Sequence, residues 1–208
     1  MNPSSTRVVL ASASAIRRTM LENAGVIVAI DPADIDEGRV KDELRASGGT
    51  VEEAALRLAR EKASVVSARH AGALVIGSDQ MLECDSAWLD KPPNRPAAEA
   101  HLARLAGRSH RLVNAAAVLR DGIELWSTVS AATLTMRPLG HDEIAAYLDA
   151  AGPAVLSSVG AYQLEKLGAQ LFTKVEGDFF TVLGLPLLPL LAFLREQGVP
   201  ASLSGRRR

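Results

Sequence analysis

Cys84 is the only cysteine in 208 residues. One thiol can close no intrachain disulfide and build no thiolate zinc centre. Such sparing use of cysteine fits a reducing cytosol, so a cytoplasmic location is expected. Aromatic residues make up 4% of the chain, too few for the base-stacking platform of a single-strand nucleic-acid binder. The formal net charge is −1. No global field therefore draws the chain to nucleic acid or to anionic lipid, and neither is expected as a partner. The basic cluster Arg206-Arg207-Arg208 reads as a solvated end within a flexible tail at 199–208. A charged start leading into a long apolar core is missing, so no signal peptide is expected. The apolar stretch Val182 to Leu194 contains Pro186 and Pro189 and is too short to span a bilayer.

What remains is a chain that is 48% hydrophobic, enough for one large core or two small lobes. Arg7 to Ala11 has the character of a short buried strand. Ser12-Ala13-Ser14 leads into a helix that Ser14 can cap and Gly25 can stop. Val26 to Ile30 reads as a second strand, and 38–49 as a mobile polar connection. Thr50 and Glu53 form a capping box that opens a long helix to about Arg69. Ala55, Leu58, Ala59, Ala63 and Val66 give that helix an apolar stripe. Ala73 to Ile76 is a buried strand that Gly77-Ser78 should end with a sharp turn. Pro96 opens a helix over 97–105. Ser109 to Leu119 and Glu124 to Met136 form a long hairpin about Asp121-Gly122. A short helix over 142–148, strands at 170–175 and 179–183, and a last helix opened by Pro186 complete the reading. Strands alternate with helices and then give way to a long hairpin. The expected fold is α/β, with a mixed, elongated central sheet, flanking helices and two lobes around a cleft within a single domain.

Charged residues mark where chemistry could sit. Asp79 follows the buried strand, at the rim where α/β sheets bind ligands. Lys91 is held extended by Pro92. Ser12, Ser14, Arg17 and Arg18 surround a helix N-terminus, where positive charge opposes the dipole unless an anion is bound. The loop lacks the glycines and the Gly-Lys-Ser/Thr ending of a P-loop. Asp31, Asp34, Asp36 and Glu37 crowd one another, which solvation or a divalent cation would relieve. Lys62 lies beside the apolar stripe of its helix. His110, alone near the start of a strand, has the setting of a structural histidine.

In order and spacing, several of these stretches resemble the Maf family of nucleoside triphosphate pyrophosphatases. The residues that carry the resemblance are Leu10-Ala-Ser-Ala-Ser14 with Arg17-Arg18, Asp36-Glu37, Leu56 to Ala63, and Ile76-Gly-Ser-Asp-Gln80. Asp90-Lys-Pro92, Leu105 to His110, Gly160-Ala-Tyr162, Glu176-Gly-Asp178 and Leu183 to Leu187 continue it. Each is weak alone, but the ordered set from about residue 8 to 197 is specific. The resemblance implies a Maf/ITPase-like fold and hydrolysis of a nucleoside triphosphate to monophosphate and pyrophosphate. It also implies a divalent metal (Mg²⁺ or Mn²⁺), a housecleaning or division-related role, and a homodimer. By position, Ser12 and Arg17 would bind the triphosphate, and Lys62 and Lys91 would neutralise it. Glu37 and Asp79 would serve the metal and the attacking water, with Asp79 as general base.

The chain also departs from the commonest family pattern. Ile16 replaces the first arginine of the Ser-Pro-Arg-Arg loop, leaving Arg18 as a candidate substitute. Gln80 stands where threonine is frequent, Glu165 where glutamine is, and Asn114 where threonine follows the Ser-His strand start. Ile16, Gln80 and Glu165 look like the branch associated with 7-methyl-GTP, which would make Gln80 and Glu165 substrate-reading positions. The competing reading is a non-catalytic nucleotide-binding regulator of cell division. A sugar-nucleotide enzyme is disfavoured, because no glycine-rich dinucleotide fingerprint follows the first strand.

Overall fold

A computed structural model of the chain describes residues 6–200. The cluster Arg206 to Arg208, and most of the tail expected from 199, lie outside the described residues. Val199 itself is buried, and its N–H is bonded to Leu194 O.

The elements, in order, are β1 (Val8–Leu10), α1 (Ala15–Asn23), β2 (Val28–Ile30), α2 (Glu37–Ala46), α3 (Val51–Ser67), β3 (Leu74–Cys84) and β4 (Ala87–Leu89). They continue with α4 (Arg95–Leu105), β5 (Ser109–Arg120), β6 (Ile123–Met136), α5 (His141–Ala151), β7 (Phe172–Glu176), α6 (Phe179–Leu183) and α7 (Leu187–Glu196). Short 3₁₀ segments join α5 to β7. The sheet has seven strands in the order β2-β1-β3-β5-β6-β7, with β4 paired to β3. β1 lies parallel to both β2 and β3, whereas β4 on β3 and β7 on β6 are antiparallel. The chain thus has the mixed α/β architecture with flanking helices that its alternation of strands and helices predicts. Among the described residues no helix is long and apolar enough to cross a membrane.

Two compact units make up the chain. Among the described residues the first comprises 6–79, 114–130 and 184–200, and the second 80–113 and 131–183. The first builds its core from Val9, Leu10, Leu74, Val75 and Ile76 against the Ala-rich face of α3, including Ala55, Leu58, Ala59 and Ala63, all buried. The second packs Leu82, Leu102, Leu105, Leu134 and Met136 with Tyr162 and Leu171.

Local signals explain most element ends. Ser14 caps α1 by accepting the Arg17 N–H, and Thr50 and Glu53 form the capping box of α3. Asp121 and Gly122 both adopt positive φ in the β5–β6 hairpin, as a two-residue turn prefers.

Three expectations are corrected. Residues 38–49 are not a loop, because 37–46 form α2. Asp36 caps this helix by accepting the Arg39 N–H at 2.9 Å, and Val40 supplies its buried contact. Gly77-Ser78 does not end the central strand: β3 runs on to Cys84, and Asp79 sits within it. Residues 179–183 are helical, because the Asp178 carboxylate accepts the Thr181 N–H at 2.8 Å and closes the turn.

Candidate active site

Lys62 and Asp79 stand at the centre of the charged groups in the first unit. Lys62 lies on α3 and Asp79 on β3, and both are buried, at 8% and 6% exposure. Lys62 Nζ donates to Asp79 Oδ1 at 2.5 Å and lies 2.6 Å from Glu37 Oε1. One ammonium therefore holds two carboxylates from different elements. The other Glu37 oxygen, Oε2, lies 3.7 Å from Lys41 Nζ, one turn along α2.

The local sequence explains this meeting. Gly77 lies two residues before Asp79, on the same face of β3 by strand alternation. A Cβ on Gly77 would lie 2.0 Å from Ala59 O and 2.7 Å from Ala63 N. Only a glycine lets α3 approach so closely, and Ala59 and Ala63 bracket Lys62 on that helix. α2 is held to α3 by a ring of ion pairs. Arg39 contacts Glu43 and Glu61 at 2.7 and 3.3 Å, and Arg57 contacts the same two acids at 2.6 and 3.0 Å. Exposed pairs of this kind stabilise weakly, so the ring acts more on register than on energy.

Arg17 is buried, and two of its guanidinium nitrogens bond to the protein itself. Nε donates to Gly184 O at 2.7 Å, and Nη1 donates to Ser78 O at 2.8 Å and Ser12 Oγ at 3.2 Å. Burial lowers its pKa, while the charges of Asp79 and Glu37 oppose that shift. Arg17 thus ties the start of α1 to the peptide before Asp79 and to the start of the final segment. Ser12 also accepts the Ser14 N–H at 3.2 Å. Arg18 is exposed and pairs with Glu22 at 2.8 Å, an ordinary surface pair along α1.

The four acids after β2 do not act as a cluster. Asp31 pairs with Arg69 and His70, at 3.0 and 2.7 Å, and these hydrogen bonds hold its carboxyl below the usual range, Arg69 contributing most. Asp36 is a helix cap. Glu37 alone meets Lys62.

The remaining predicted residues belong to the second unit. Gln80 donates through Nε2 to Val182 O at 3.0 Å, and Lys91 and Glu165 are exposed. His110 is buried, with Nε2 2.8 Å from the Tyr162 hydroxyl. Burial pushes its pKa down to about 4. Sequence reasoning missed Lys41. Its spacing of four from Glu37 carries meaning only once 37–46 is known to be helical.

The donor set suits a divalent metal in a limited way. Among the described residues no group of three His, Cys, Asp or Glu could hold a metal alone. Two converging carboxylates do suit Mg²⁺ or Mn²⁺, ions usually held by one or two protein carboxylates with phosphate oxygens and water as the other ligands.

The chain is thus a mixed α/β protein that gathers a lysine, two carboxylates and a buried arginine around one strand. The profile of the family described as Maf-like protein matches residues 7–197. The chain belongs to that family. It is 53% identical to a nucleoside triphosphate pyrophosphatase of Paramagnetospirillum magneticum, over 91% of this chain and 98% of that one. It is 50% identical to a 7-methyl-GTP pyrophosphatase of Rhizobium etli, over 92% of this chain and 96% of that one. Among solved structures, the nucleoside-triphosphatase (dITP/XTP pyrophosphatase) of Mycobacterium abscessus aligns with a TM-score of 0.43 and 15% identity, over 93% of this chain and 96% of that one.

Proposed function

We propose that this protein hydrolyses nucleoside triphosphates to the monophosphate and pyrophosphate, with 7-methylguanine nucleotides as the favoured class. The observation that carries the reading is the convergence of Glu37 and Asp79 on Lys62. Relatives named for this reaction, over nearly their whole length, support it.

In the reaction, a water oxygen bonds to the α-phosphorus and the bridge to the β-phosphorus breaks. The pyrophosphate leaves with the bridging electrons. Asp79 accepts the proton of the attacking water, as a positioned carboxylate can. Lys62 neutralises charge that develops on the leaving phosphates, as does Lys91. Ser12 contributes a hydroxyl to the phosphate-binding loop. Arg17 keeps the Ser78-Asp79 peptide in place, so that the base meets the water in one orientation. Glu37 and Asp79 are the residues that would hold a divalent cation. When bound, such an ion supplies a polarised water and neutralises phosphate charge.

The preference for 7-methylguanine rests on Ile16, Gln80 and Glu165, together with the Rhizobium relative. The test is pyrophosphate release across canonical and modified nucleoside triphosphates, with and without Mg²⁺ or Mn²⁺. The expected result is metal-stimulated release, fastest with 7-methyl-GTP and reduced at least about a hundredfold in D79N. Near wild-type release by a folded D79N protein would overturn the role of Asp79. Failure on every nucleotide would overturn the activity.

A further inference from the structure

Glu37 and Asp79 are the two carboxylates on which the cation site of the proposed reaction depends, and one lysine occupies both. Lys62 Nζ lies 2.5 Å from Asp79 Oδ1 and 2.6 Å from Glu37 Oε1. Both contacts are charge-assisted, an ammonium meeting a carboxylate. The lysine and the aspartate are buried, and Lys41 stands by the second oxygen of Glu37. The described contacts bring charged groups to the pair from four elements. α3 contributes Lys62, α2 contributes Glu37 and Lys41, β3 contributes Asp79, and α1 contributes Arg17, which acts on both acids through space. Among these groups, three cations face two anions.

We infer that Lys62 is a tethered resident cation, which blocks divalent metal binding until a polyphosphate takes its ammonium away. The inference rests on the reading of Glu37 and Asp79 as the metal-holding pair. Its physical basis is competition. A bare divalent ion entering this site meets a net positive surrounding and must displace an ammonium already bonded to both carboxylates. Desolvating that ammonium without a new partner is costly. A polyphosphate supplies the partner, because its oxygens accept the lysine as the metal takes the carboxylates. It also supplies further metal ligands at a site where, among the described residues, no three metal-binding side chains gather. The site is therefore completed by its substrate. Metal and nucleotide bind as one species, and the empty protein takes up little of the free ion.

The test measures Mn²⁺ alone, binding to the protein alone, from the loss of the free-ion electron paramagnetic resonance signal. Wild type should bind weakly. K62M should bind Mn²⁺ tighter by at least about tenfold, because a positive charge a few ångströms away is removed. K62R, which keeps the charge, should bind as weakly as wild type. The gain should vanish in K62M/D79N, which lacks one of the two carboxylates. If K62M does not fold, as judged by circular dichroism, K62Q carries the same measurement. Neutral variants that bind no tighter than wild type overturn the inference, as does a gain that survives the loss of Asp79. Because no hydrolysis is read, the outcome is independent of the proposed activity. A protein that cleaves nucleotides but shows no gain in K62M keeps its function and loses the gate. A protein that cleaves nothing yet shows the gain keeps the gate and loses the function.

Discussion

Gly77 and Ala59 touch through main-chain atoms: a Cβ on Gly77 would lie 2.0 Å from the Ala59 carbonyl oxygen. This contact sets the distance between β3 and α3, and so the reach of Lys62 to Asp79. No side chain can swing aside to make room, because the obstructing atoms are helix backbone. G77A must push α3 outward. The expected cost is about 3 kcal/mol of stability, at the upper end of overpacking effects. Turnover should fall further than stability alone explains, because the Lys62–Asp79 contact lengthens. Urea denaturation and pyrophosphate release at a temperature where the variant is still folded check both parts. Wild-type stability in G77A would show that the helix is not held there.

Arg17 gives a prediction that separates anchoring from ligand binding. Its Nε and Nη1 serve Gly184 O, Ser78 O and Ser12 Oγ. R17M leaves these carbonyls without that donor and should cost about 2–4 kcal/mol. R17K restores a charge but not the planar fork, and should recover little of it. If Arg17 positions the Ser78-Asp79 peptide, kcat should fall by about tenfold or more in R17K while the inhibition constant of pyrophosphate stays within about threefold. A large loss of pyrophosphate affinity at unchanged kcat would identify a direct phosphate ligand instead.

How far the sequence reveals this site depends on the range of the interaction. The Thr50–Glu53 capping box, the Ser14 cap and the Asp121-Gly122 hairpin are local, and all three form as their residue types predict. Gly77 is legible as an unusual residue but not as a packing device. Its reason lies on α3, at Ala59 and Ala63, and the local signal for a turn points the wrong way. α2 is hidden for a different reason. Gly38 and a mostly charged composition leave only Val40 and Leu44 as a short apolar stripe, and the helix depends also on its Asp36 cap and on Arg57 and Glu61 of α3. Residues 179–183 look like a strand by composition, and a single carboxylate, Asp178, turns them into a helix. The charged residues themselves are readable from residue type and from the family pattern. Their pairing, with one lysine between two acids, is a tertiary fact.

Asp36 tests whether α2 presents Glu37 to the site. It accepts the Arg39 N–H at 2.9 Å and opens the turn that carries Glu37. D36A should lower stability by about 1 kcal/mol, the usual worth of such a cap. D36N, which can still accept the bond, should lose less. Pyrophosphate release should fall by roughly threefold in D36A and recover in D36N, following the order of the first turn. Activity that drops equally in both variants would place the charge of Asp36, rather than its cap, in the mechanism.

His110 predicts an acid limit to stability. It is buried against Tyr162, with its pKa pushed down from 6.5 to about 4 by burial. As pH falls through 6.5 the unfolded chain takes up a proton that the folded chain refuses until near pH 4. Stability is therefore complete above about pH 7 and is lost progressively across that window. Between pH 7 and pH 5 this single group should remove about 2 kcal/mol, from the difference in proton uptake between the two states. H110F cannot titrate, and should be less stable at pH 7 because the Tyr162 hydroxyl loses its partner. Its stability should nevertheless fall less steeply towards pH 5 than that of wild type, and the difference in slope isolates His110 from the carboxylates that titrate lower. Guanidinium unfolding of both proteins at pH 7, 6 and 5 measures it. Parallel curves would mean that the imidazole becomes protonated inside the folded protein without penalty, and that its burial is not what sets its charge.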